Sequence, residues 1–149
     1  MKKTFTFILL FIASLGYSQD LKGSLKYGGS QDGKAFSITY RSMQKGTLNP
    51  ETNWVTNSLP ASMKSTVFFN YNDSNKLKVI FSNGKDNILY NIRNIETENN
   101  DYVRLITLAD ASHTDFTNGK AEIRLTKKEL QITIIESNTV LTFLNPIKN

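Results

Sequence analysis

The chain contains no cysteine. Disulfide scaffolds, cysteine nucleophiles, thiolate metal sites and iron–sulfur clusters are therefore excluded, and a lipid-anchored lipoprotein with them. One histidine and one tryptophan are present. The histidine, His113, sits between Asp110 and Asp115 in a polar stretch over residues 109–119. Asp110, Ser112 and His113 are the residue types of a hydrolytic triad. A triad needs the histidine held between a separate serine and carboxylate, which neighbours in one loop do not supply, and turn chemistry accounts for them instead. Clustered charge is also missing. The net charge of +5 arises from 18 basic and 13 acidic residues, and the basic ones are scattered, which argues against a nucleic-acid partner. Glu96, Glu98 and Asp101 offer oxygen ligands, but the regular Asp-x-Asp-x-Asp-Gly calcium loop is absent. No catalytic residue, metal site or cofactor is expected, and the chain does not read as an enzyme.

Long apolar runs are absent beyond the N-terminus. There, Lys2 and Lys3 precede an apolar run over residues 5–15 and the small-residue segment Gly16-Tyr17-Ser18. This series resembles a secretory signal peptide cut between Ser18 and Gln19. Its apolar core is too short to span the ~30 Å of bilayer hydrocarbon, and no later run reaches transmembrane length. The expectation is a signal peptide at 1–18 and a single domain at 19–149, periplasmic or secreted, with no membrane span once the signal is removed. Such a domain, lacking disulfides, is held by its own core, and its length suffices for one.

What is present in quantity is β-alternation. The stretch 120–144 reads KAEIRLTKKELQITIIESNTVLTFL, with apolar and polar residues alternating as in half-buried strands. A turn at Lys127-Lys128 pairs Leu125 with Leu130, Ile123 with Ile132 and Ala121 with Ile134. A two-residue turn at Ser137-Asn138 would pair Ile134 with Leu141 and Ile132 with Phe143. Both registers put the same residues on one apolar face, so the faces are strongly specified. Earlier, Val67, Phe69 and Tyr71 alternate, then Leu77, Val79 and Phe81, then Ile88, Tyr90 and Ile92. Asn83-Gly84 is a type I′ hairpin signal that pairs Val79 with Ile88 and Leu77 with Tyr90. A three-residue turn with Asn75 left-handed would pair Phe69 with Val79 and Tyr71 with Leu77. Phe68, Ile80 and Leu89 suggest that this meander is covered on both sides over part of its length. Residues 21–27 read as a short strand, Phe36, Ile38 and Tyr40 as part of the next one, and 102–108 as another. The glycine run at 28–33 precedes a strand rather than a helix, which makes it a loop and not a phosphate cradle.

The β rhythm breaks over residues 44–64. Asn49-Pro50-Glu51 combines an N-cap side chain, a first-turn proline and an acid at the positive end of a helix dipole. One short helix near residues 50–57 is expected. It would carry Trp54, the sole tryptophan. Two roles stand side by side for it. Trp54 and Val55 plug one end of the sheet core, or the segment forms a lid over a ligand cavity with Trp54 as ligand-binding residue.

The expected fold is all-β: an antiparallel up-and-down meander of eight or nine strands, forming a small barrel or a two-sheet sandwich. Length and the helical interruption make it resemble, in architecture, the small lipid-binding barrels of the calycin type, although the Gly-x-Trp of a lipocalin's first strand is absent. Two functions follow as expectations. One is an exported small soluble barrel binding an apolar or amphipathic small molecule. The other is an envelope-associated interaction module with no cavity, its surface marked by Ile135 and Val140 paired on the polar face of the C-terminal meander.

Overall fold

A computed structural model of the chain describes residues 21–27, 33–82, 84, 87–109 and 120–147, with 104–109 by their backbone. From Phe36 onward, alternation becomes strand. In chain order the strands are β1 (Phe36–Asn49), β2 (Trp54–Asn57), β3 (Ser65–Phe69), β4 (Lys76–Phe81), β5 (Asn87–Glu98), β6 (Tyr102–Ala109), β7 (Lys120–Thr126), β8 (Glu129–Ile134) and β9 (Thr139–Pro146). All pairings are antiparallel, and the sheet runs β2-β1-β3-β4-β5-β6-β7-β8-β9 with an additional β1–β9 pairing. That last pairing, from Tyr40↔Pro146 to Thr47↔Thr139, closes β1 and β3–β9 into an eight-stranded barrel and settles the choice between barrel and sandwich. The seam is tied beyond both ends, by Leu48 N–H donating to the Asn138 carbonyl and Ile147 N–H to the Thr39 carbonyl, each at 2.7 Å.

The inner face follows the alternation. Val67 and Phe69, Leu77 and Val79, Ile88, Tyr90 and Ile92, Ile123, Ile132 and Phe143 are all buried in one core. In an eight-stranded barrel the interior is just wide enough for side chains to fill or for one small ligand. The β7–β8 register is the expected one, with Ile123 opposite Ile132 and Leu125 opposite Leu130. So is β4–β5, with Val79 opposite Ile88 and Leu77 opposite Tyr90. Gly84 stands at φ +65 in that hairpin, while Asn83 lies outside the described residues. Two other registers differ from expectation by two residues. Ile132 faces Leu141 and Ile134 faces Thr139, across a four-residue turn that ends in left-handed Asn138. Val67, not Phe69, faces Val79, because the β3–β4 connection is longer and contains a 3-10 turn at Tyr71–Asp73. Its left-handed residues are Asn70, Asn72 and Asp73 rather than Asn75. A slip of two preserves which face each side chain takes, so the core composition is unaffected.

On the outer face, Phe68, Ile80 and Leu89 are half-buried, and the Phe68 ring meets Tyr71 at 6.1 Å. The expected Ile135–Val140 pair does not exist. Val140 faces Thr133 and is fully buried, whereas Ile135 lies in the turn and is exposed.

The expected helix near residues 50–57 is also absent. Asn49 does accept hydrogen bonds from the backbone N–H groups of Glu51 (2.9 Å) and Thr52 (3.2 Å), as an N-cap would. But Asn53 turns left-handed at φ 55, and Trp54–Asn57 pair back onto Gly46–Asn49 as β2. The cap-like chemistry serves a four-residue hairpin turn. β2 and β3 line the same edge of β1, with a Met43↔Ala61 bridge between them. The registers Thr47↔Thr56, Met43↔Ala61 and Tyr40↔Ser65 show the partner chain gaining one residue across each interval. β2, Ala61 and β3 are therefore one interrupted, bulged strand, which is why the sequence loses its β rhythm there.

Candidate functional site

Residues 21–27 are not a strand. They form a turned segment across one end of the barrel, with Leu21 and Leu25 buried in the core. Three anchors hold it. Leu21 N–H donates to the Asn100 carbonyl (3.0 Å) and Gly23 N–H to Glu98 Oε2 (3.0 Å), at the β5–β6 turn. Asn70, fully buried in the β3–β4 connection, accepts from Lys26 N–H through Oδ1 (2.7 Å) and donates through Nδ2 to the carbonyls of Ser24 and Lys34, both at 2.8 Å. Lys26 Nζ reaches Asp73 Oδ1 at 2.7 Å. This end of the barrel is capped by residues that the alternation pattern assigned to a strand. The β1–β2, β4–β5 and β8–β9 turns gather at the opposite end.

Trp54 belongs to that opposite end, at the start of β2, and is 72% exposed. It is no core plug: Val55 beside it is only half-buried, and the plugging is done by Leu21 and Leu25. A shallow groove of about 420 Å³ on the same hairpin is lined by Thr47, Leu48, Asn49, Pro50, Glu51 and Thr56. Trp54 is not among its walls, and Glu51 is the one charged residue of the lining.

The chemically distinctive place is the barrel interior. Tyr90, on β5, is 0% exposed and its phenol oxygen has no hydrogen-bond partner. Ser65, at the start of β3, is 1% exposed and its hydroxyl likewise has none. Both sit on the inner face. Tyr90 pairs across the sheet with Leu77, and Ser65 with Tyr40 and Phe81, whose rings both pack against Phe143. Burial pushes the Tyr90 phenol well above its ordinary range, so it remains a protonated donor. Leaving such a group unsatisfied costs about 1–3 kcal/mol, and buried polar groups nearly always have partners. A third unpartnered hydroxyl, that of Thr142, lies on the other face of β9. Among the described residues Lys26 is the only buried charged side chain, and it is committed to Asp73.

The remaining candidates are dispersed. Glu98 is engaged by Gly23, and Asp101 Oδ1 pairs with Lys127 Nζ at 2.5 Å. Among the described residues no group of three His, Asp or Glu side chains could hold a metal ion. Asp110, Ser112, His113 and Asp115 lie outside the described residues. Tyr90 was visible in the sequence as an inward residue of the Ile88-Tyr90-Ile92 alternation. Its hydroxyl was the overlooked signal, since a tyrosine aimed into a barrel must satisfy one polar atom there. Ser65 is in phase with Val67 and Phe69 in β3, so alternation aimed it inward as well, but a serine at the start of an apolar strand gave no sign of being buried. The chain matches no family model, no curated protein and no solved structure.

Proposed function

We propose that the protein is an exported, non-enzymatic binding protein that holds a small apolar or amphipathic molecule inside its barrel. The observation that carries this reading is the pair of buried, unpartnered hydroxyls, Tyr90 and Ser65, on an inner wall that is apolar apart from these and the Tyr40 phenol. With residues 21–27 across one end, access is from the end bearing the β1–β2 hairpin, where exposed Trp54 contacts the incoming molecule. Export rests on the Lys-Lys, apolar, small-residue series at the N-terminus, and intact mass of exported material should begin at Gln19. Native mass spectrometry of that material tests binding. A low-mass adduct, released on denaturation and rebinding with measurable heat, is expected. A protein that carries no adduct and gives no heat with alkanes, isoprenoids, long-chain alcohols, fatty acids or porphyrins overturns it. The interaction-module alternative loses its main support with Val140 buried.

A further inference from the structure

We infer that the interior site selects a neutral lipid with an uncharged oxygen group, such as a long-chain or isoprenoid alcohol or ketone, over a fatty acid. The inference rests on the binding reading above and concerns the chemistry of the bound head group. Two of the buried hydroxyls on the inner wall, those of Tyr90 and Ser65, call for a polar partner, and neither finds one in the protein. The β-registers place them on strands separated only by β4, Ser65 opposite Phe81 and Tyr90 opposite Leu77. They thus stand at different depths along the barrel, with Tyr90 the nearer to the capped end. The protonated phenol is a donor, and the serine hydroxyl donates or accepts, so an alcohol or carbonyl oxygen satisfies either. The walls around them, including Val67, Val79, Ile88 and Phe143, suit a hydrocarbon body.

A carboxylate does not fit the same place. A buried anion needs a paired cation. Lys26 is held by Asp73 at the capped end, and every other described Lys or Arg whose side chain is placed is exposed or half-buried rather than interior. A fatty acid would therefore bury its charge uncompensated or leave its head at the opposite end.

The test compares 1-dodecanol, dodecanoic acid and dodecane by calorimetry at neutral pH, on delipidated full-length exported protein and its Tyr90→Phe and Ser65→Ala variants. The alcohol should bind about tenfold or more tightly than the acid, and at least one variant should lose about tenfold for the alcohol, with dodecane affinity unchanged. Because the Tyr90 phenol has no protein partner, Tyr90→Phe should leave the denaturation midpoint equal or higher, which separates a ligand contact from a structural one. Equal or tighter binding of the acid, or alcohol affinity unchanged in both variants, overturns the head-group assignment while leaving lipid binding intact. A lowered midpoint for Tyr90→Phe also overturns it, since the phenol would then serve an internal or water-mediated bond. Failure of all three probes to bind the wild-type protein counts against the binding reading itself.

Discussion

At the scale of single residues, the buried phenol and one glycine make the sharpest demands. The native state keeps the Tyr90 proton at a pH where the unfolded phenol, with its pKa of ~10, has lost it. The unfolded chain then binds fewer protons than the native one, so stability contributed by this group is present below ~10 and falls as pH rises above it. Comparing urea midpoints at about pH 9 and about pH 11, wild type should lose more than Tyr90→Phe, because the variant has no phenol to titrate. Gly33 stands at φ +86, and a Cβ there would collide with the Ser24 carbonyl and lie 2.8 Å from Asn70 Nδ2. Gly33→Ala combines left-handed strain with loss of the Asn70 anchor. It should cost more than about 1 kcal/mol in chemical denaturation. An alanine at Gly23, also left-handed but with open space around it, should cost less.

At the scale of elements, the faces of the strands were legible and three of the turns were not. Ile132 is 0% exposed between Ile123 and Leu141, while its neighbour Thr133 points the other way and is half-buried. Ile132→Ala should cost about 2–5 kcal/mol and Thr133→Ala under about 1 kcal/mol. Similar denaturation midpoints for the two variants would show that the faces are reversed. The two-residue slips at β3–β4 and β8–β9 escaped the sequence because Asn and Asp tolerate left-handed backbone at several neighbouring positions. Turn length was then open, while the period of two held the faces. The β8–β9 turn is set by tertiary contacts. Ile135 N–H donates to the Lys120 carbonyl at 3.0 Å, and Glu136 accepts from Lys120 N–H at 2.7 Å. That bond holds the Glu136 carboxyl below its ordinary range. The hairpin at Asn49-Pro50 is the same lesson from the other side. A cap-like side chain was read correctly, but pairing of β2 with β1 overrode the helix it would start.

At the scale of the whole molecule, the capping segment is part of the core although it has no strand pairing. Leu25 is 1% exposed within the main cluster, so Leu25→Ala should cost about 2–5 kcal/mol by urea denaturation. A loss under about 0.5 kcal/mol, typical of surface positions, would mean that the segment does not seal the barrel. By itself the sequence determined the all-β class, the inward set of most strands and two hairpin registers, because side chains in a strand alternate with period two and apolar surface must leave water. It also held, as a local pattern, the Lys-Lys, apolar, small-residue series on which the proposed export rests. Only the tertiary structure decided closure, since the β1–β9 pairing joins residues far apart in the chain and leaves no local mark. For the same reason it alone showed that residues 21–27 cap one end while Trp54 faces solvent. The candidate site follows from both levels. Alternation aimed Tyr90 inward, but its lack of a partner depends on what every other strand brings to the same interior.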